Sequence, residues 1–201
     1  MGIALFLLVF AAVFATVLGW GVATYNGLVR GRNRYRNAFA QIDVQLQRRF
    51  DLIPNLVATA KAYMAHEAQT LEAVIAARAA AQSGLSAAKA RPGDRAAMAT
   101  LGQAEAQLEG ALGRLMMVSE AYPELKASQT MVQLNEELSS TENRIGFARQ
   151  AFNDAVTDYN NQREAFPGML VAGPFHFEPA ALLEIPLADR KEVRAAPRVQ
   201  F

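Results

Sequence analysis

The stretch IALFLLVFAAVFATVLGWGVAT, residues 3–24, contains no charged side chain, and the first charge in the chain is Arg30. About 20 consecutive apolar residues make a helix long enough to cross the ~30 Å hydrocarbon layer of a bilayer. Lipid offers no partner to an unpaired backbone group, so a segment in that layer must be helical. A cleaved signal peptide is the competing reading, and Gly21 and Ala23 suit a small-residue cleavage site. Against it, no Lys or Arg precedes Ile3, and the apolar run exceeds the roughly 7–15 residues of a signal core. The absence of cysteine excludes a lipoprotein anchor and says nothing about redox compartment. Residues 1–29 are therefore expected to be a retained transmembrane anchor.

The flanks of that segment set an orientation. Arg30, Arg32, Arg34 and Arg36 follow it directly, and only the terminal amine precedes it. The positive-inside rule then places the Arg side in the cytoplasm and the short amino terminus outside a bacterial inner membrane; a periplasmic bundle is the alternative. The same arginines are candidates for lipid-headgroup contact, and Trp20 and Tyr25 suit an interfacial aromatic belt.

The chain has 201 residues, 52% of them hydrophobic, and a net charge of +1. Without the anchor this leaves enough chain for one soluble domain. The near-neutral balance argues against general nucleic-acid binding, and no Gly-rich phosphate loop or long single-sign charge run is present. From Phe39 through Ile42, Leu46, Phe50, Ile53, Leu56, Ala60, Tyr63, Leu71 and Val74 to Arg78, the steps are mostly three and four, the stripe of an amphipathic helix. Pro54 interrupts it and is expected to kink it. Ser83, Gly84, Pro92 and Gly93 mark Gln82 to Asp94 as its end and a turn. A second helix is expected from Asp94, its N-cap, to about Ala121, with Pro123 as the next boundary. The third runs from Met131 to Phe166 with a heptad pattern over more than four repeats and stops at Pro167-Gly168. Residues 30–166 thus read as a bundle of long antiparallel helices. Residues 167–201 read as a Pro/Gly-rich tail, a docked peptide followed by a disordered end, with Asp189 to Arg194 solvated. The fold class is all-α, with one membrane-spanning helix feeding a helical bundle.

The segment IDVQLQRRFDLIPNLV, residues 42–57, resembles the signature of the LemA family. Tyr25-Asn26, Arg32-Asn33, His66-Glu67, Tyr122-Pro123, Glu142-Asn143, Phe152-Asn153, Tyr159-Asn160 and Phe166-Pro167 support the resemblance, which extends from about Tyr25 to Phe177. Phe50 departs from it, since the family commonly has a polar or histidine residue there, and the tail after Glu178 lies outside it. The resemblance implies a bacterial protein with one amino-terminal span, its amino terminus outside, and a helical soluble part. It implies no established biochemical role. Some relatives are linked to magnetosomes, and genes for a membrane metalloprotease often lie nearby.

Candidate sites are few. His66-Glu67 begins a zinc-protease pattern, but Thr70 stands where the second His would be, so the metal spacing fails and no metal or cofactor is expected. Asp43, Arg48, Arg49, Asp51 and Asn55 lie along one helix, and Glu142, Asn143, Arg149 and Asn153 along another that can run antiparallel to it. Such groups can pair across the interface, either as a network fixing register or as a binding surface for a partner; the first is favoured because no nucleophile–base pair accompanies them. Ala11, Ala15, Gly19, Ala23, Gly27 and Gly31 recur by fours, which lets helix backbones approach closely in lipid. A step of four overshoots the 3.6-residue turn, so only a subset can face one partner.

These features together suggest a non-enzymatic, membrane-anchored scaffold or adaptor that forms a homo-oligomer. A second reading is a regulator or substrate adaptor of a membrane enzyme such as a metalloprotease, with Phe175, Phe177, Leu182 and Leu183 as the docking peptide.

Overall fold

A computed structural model describes residues 2–186. Helices account for 84% of these residues and no strand is present among them, so the fold class is all-helical as the periodicity requires. The elements are α1 (Gly2–Tyr63), α2 (Ala68–Ala90), α3 (Arg95–Ser119), α4 (Pro123–Ala127), α5 (Gln129–Glu164) and α6 (Gly168–Ala172).

α1 is one uninterrupted helix of 62 residues, about 93 Å long at 1.5 Å per residue. Its amino-terminal part is long and apolar enough to cross a membrane. Its carboxyl-terminal part is one of four long helices in an up-down-up-down bundle. α5 lies antiparallel to α1: Gly31 faces Tyr159, Phe39 meets Phe152 edge-on and Arg49 meets Glu142. α2 returns along α1, with Lys89 at Asp43 and Arg78 at Phe50. The core is the set of apolar stripes these helices turn inward, including Phe39, Ile42, Leu46 and Phe50 from α1 and Ile145, Phe152 and Tyr159 from α5.

Several boundaries differ from the sequence expectation. The stripe from Phe39 to Arg78 is not one helix, because the chain reverses at Met64–Glu67. No Gly or Pro marks this break. Met64 is fully buried, its amide donates to the Ala60 carbonyl, and the Tyr122 hydroxyl donates to the Glu67 carboxylate. Tertiary packing overrides local helix propensity there. Ser83 and Gly84 are not a turn either: α2 runs on to Ala90, and only Arg91–Asp94 turn. A Cβ at Gly84 would stand 3.3 Å from the Leu101 Cα. Gly84, with the buried Ala81, Ala88, Ala97 and Ala104, forms a small-residue seam along which α2 and α3 pack closely. Gly93, with φ of +86°, supplies the left-handed backbone of the turn.

Other expectations hold. Asp94 caps α3, its carboxylate accepting from the Ala97 amide at 2.9 Å, and Pro123 opens α4. The tail does dock: Phe177, Ala180 and Leu183 are buried against the bundle. The expectations of a disordered end and of a solvated run Asp189 to Arg194 fall outside the described residues.

Candidate functional site

The polar signature separates into pieces with different tasks. Arg49 is 2% exposed at the bundle centre. Its guanidinium donates to Glu142 on α5 at 2.7 Å and to Glu105 on α3, so one side chain of α1 ties two other helices. Glu105 is also buried, and Glu105 Oε1 and Arg49 Nε have no hydrogen-bond partner among the described residues. The sequence reading missed Glu105. Its signal is present: Met98, Glu105 and Leu112 are seven residues apart, and a carboxylate at an apolar heptad position is a core polar residue awaiting a partner.

Pro54 gains a partner as well. Lacking an N–H, it cannot bond the carbonyl four residues earlier, which belongs to Phe50. Arg78 Nε of α2 donates to that carbonyl at 2.7 Å. α1 therefore passes through Pro54 without ending, and Arg78, expected on the apolar stripe of the first helix, lies on the second helix and reaches back to it. Phe50 itself is fully buried, which suits an aromatic residue at that position.

The remaining members disperse. Asp43 pairs with Lys89 of α2 at 2.7 Å. Arg48, Asp51, Asn55 and Asn143 are exposed on the bundle surface, and Arg149 is half-buried; Asp51 accepts from Gln47, one turn before it. Asn153 does not pair with α1. Its amide accepts from the Leu183 N–H at 2.9 Å and donates to the Leu183 carbonyl at 3.2 Å. Asn160, one heptad later, does the same to Ala180 at 3.0 and 2.8 Å. The Tyr159 hydroxyl donates to the Glu178 carbonyl and Arg163 Nε to that of Phe177, both at 2.8 Å. On the other side, the Ala181 amide donates to the Gly93 carbonyl, and the Glu184 carbonyl rests on Gly102 of α3. The tail is thus an extended strip whose backbone groups are satisfied largely by α5 side chains, as buried backbone groups must be. Burial, with Tyr35 beside it, pushes the Tyr159 phenol above its usual value, partly countered by Arg163, Arg32 and Arg36. Phe177 and Leu183, expected to present a docking peptide, are instead consumed in this self-docking.

The arginines after the apolar segment also divide. Arg30 is exposed, and Arg34 makes an exposed 3.4 Å pair with Asp158, a contact worth little. The Arg32 guanidinium lies 5.1 Å from the Phe177 ring. Arg32 and Arg36 join Lys89, Arg91, Arg95 and His176 around an open cleft of about 880 Å3, with Asp94 and Glu178 as its acidic members. Such a cleft suits an anionic group. Among the described residues no cluster of three or more His, Cys, Asp or Glu side chains is placed to hold a metal ion.

The row of small residues is shorter than its sequence spacing suggests. A Cβ at Gly27 would collide with the Gln162 side chain of α5, and one at Gly31 would stand 3.2 Å from Tyr159. Both glycines serve the α1–α5 contact within the chain. Among the described residues no atom comes within 4 Å of where a Cβ at Gly19 would stand, and Ala11, Ala15 and Ala23 are exposed.

The LemA family model matches residues 38–201. The chain belongs to the LemA family. The LemA match includes the tail after Glu178, which the signature residues alone place outside the shared pattern, and begins at Ala38 rather than near Tyr25. That the match includes the tail agrees with its position on the LemA bundle, clamped by Asn153 and Asn160. No curated protein matches this LemA chain.

Proposed function

We propose that the chain is a non-enzymatic scaffold anchored in the bacterial inner membrane, with its bundle on the cytoplasmic side, where it self-associates. The observation that carries this reading is the continuity of α1 from the apolar segment to Tyr63. One rigid strut joins anchor and core without a linker, so the orientation of the anchor is imposed on the bundle. Anchoring confines the bundles to two dimensions and raises their effective concentration. Within the apolar segment, Ala11, Ala15, Gly19 and Ala23 remain free for close helix approach. Cross-linking and native mass measurement of the full chain in detergent and in lipid test this: oligomers are expected, and a strict monomer at membrane-like density ends the proposal. Gly19→Leu is expected to weaken assembly and leave bundle stability unchanged. Gly31→Leu is expected to destabilise the bundle, because its side chain presses on the buried Tyr159 ring.

A second reading, an adaptor for a membrane enzyme such as a metalloprotease, is favoured by a groove far from the apolar segment. It has a volume of about 710 Å3, with Met116, Leu125, Met131 and Val132 among its lining, and Asn135 Oδ1 in its wall has no partner. Val132→Arg is expected to abolish co-purification of the enzyme while the homo-oligomer persists; co-purification unchanged removes the groove from consideration.

A further inference from the structure

The corner between α5 and α6 carries apolar surface that the bundle does not use. Residues 165–175 read AFPGMLVAGPF, eleven residues without a charged side chain. Phe166 is 71% exposed, and Met169, Leu170 and Phe175 are each 58–59% exposed. A contiguous apolar patch of this kind marks an interaction site. Its position identifies the partner. The Phe166 ring lies 5.4 Å from Trp20, and Phe175 lies 5.1 Å from Tyr25. The corner is therefore packed beside the last turns of the apolar segment of α1, not beside its charged continuation.

Between the two runs a cleft of about 460 Å3 is lined by Phe14, Val17, Leu18, Val22, Val171 and Phe175, with Gly21 and Tyr25. Water gains almost nothing in a cleft without polar groups, whereas an acyl chain fills it with contacts of its own kind. The backbone of the corner is also prepared for a low-dielectric setting. The Met169 amide donates to Ala165, Leu170 to Pro167, Phe175 to Val171 and Phe177 to Ala172, while Pro167 and Pro174 have no N–H to satisfy. Trp20 lies four residues before Thr24, so the corner sits about 6 Å inside the end of the apolar run. This is within the roughly 5–10 Å that interfacial elements reach into the headgroup–acyl boundary.

We infer that the Phe166–Phe175 corner is a second lipid-embedded element, inserted into the leaflet occupied by the Val17–Tyr25 end of α1, with lipid acyl chains in the cleft between them. The inference rests on the membrane-anchored reading. It gives the bundle two attachments to one leaflet, which fixes its tilt as well as its height.

The chain has no cysteine, so single-cysteine labelling is direct. Leu170→Cys, and Met169→Cys as a second variant, are labelled with an environment-sensitive fluorophore in the full chain reconstituted in phosphatidylcholine–phosphatidylglycerol vesicles. Phe10→Cys reports the anchor, and Phe147→Cys, exposed on α5, reports the bundle. The expected result is quenching of the corner labels by nitroxide-bearing acyl chains, comparable to Phe10 and several-fold above Phe147, with little quenching by aqueous iodide. Iodide quenching equal to that at Phe147 overturns the inference while leaving the anchor intact. Shielding from both quenchers assigns the corner to a protein interface and also overturns it. If the Phe10 label itself escapes lipid quenching, the membrane reading falls and the inference with it.

Discussion

Arg49 is a buried cation shared between two carboxylates, and the energetics of such groups are asymmetric. Removing one partner strands a buried charge at a cost of about 3–5 kcal/mol, whereas replacing the whole set by apolar groups is often neutral or stabilising. Arg49→Met is therefore expected to lower the unfolding free energy in detergent by about that amount, because Glu105 is left buried and unpaired. Arg49→Met combined with Glu105→Leu and Glu142→Leu is expected to recover most of the loss. Chemical denaturation of the three proteins decides this, and an Arg49→Met protein as stable as the parent contradicts the role. The Phe50 carbonyl presents a second case. Arg78→Met is expected to cost about 1–3 kcal/mol by leaving that carbonyl unsatisfied. In a Pro54→Ala background the alanine amide restores the intrahelical bond, and the same change is expected to cost markedly less. A double-mutant cycle reads the coupling directly, and additive effects contradict the account. Residue type exposed half of this in advance. Arg49 and Glu142 were visible as members of two sets that could pair, but Glu105 and Arg78 depend on a third helix and a reversed second one, which spacing along one stripe cannot convey.

Among the elements, long periodic helices were legible and their reversals only partly so. The heptads of α5 were plain because Ile145, Phe152 and Tyr159 are large and seven apart. The turn at Arg91–Asp94 was legible from Pro92, Gly93 and the capping carboxylate of Asp94. The reversal at Met64–Glu67 was not, because its cause is the burial of Met64 and a contact with Tyr122, far along the chain. Gly84 misled in the opposite direction, since glycine serves close helix packing as well as turns. The tail shows how an element without regular structure is held. Asn153 and Asn160 each satisfy both backbone groups of one tail residue. Asn153→Leu with Asn160→Leu is expected to release the strip, seen as rapid amide exchange at Ala180 and Leu183 that are protected in the parent; protection retained in the variant contradicts the clamp. Alkali provides a second route. The folded-state Tyr159 phenol titrates above its usual value of 10.0, so its contribution is fully present below that value and declines as pH rises through the folded one. Tyr159→Phe is expected to remove that alkaline loss of stability, and an unchanged alkaline limb contradicts it.

At the scale of the whole molecule, α1 unites an apolar segment of membrane-spanning length with the helix around which the bundle is built. α5 and the tail then fasten the bundle to the region just beyond that segment, through Gln162 at Gly27, Tyr159 at Gly31 and Phe177 beside Arg32. The proposed scaffold role depends on α1 being stiff, because a flexible joint would let anchors associate while the bundles remained disordered relative to one another. The apolar composition and the flanking arginines were sufficient to expect an anchor. That anchor and bundle share one continuous helix was not legible, since the apolar stripe of the bundle becomes visible only at Phe39, beyond the arginine-rich stretch. The most direct test places spin labels at Val13→Cys and Val44→Cys, both exposed positions on α1, and measures their separation in lipid nanodiscs. The account predicts one narrow distance near ~45 Å, from about 1.5 Å per residue of unbroken helix. A broad distribution, or a mean well below that value, would contradict it.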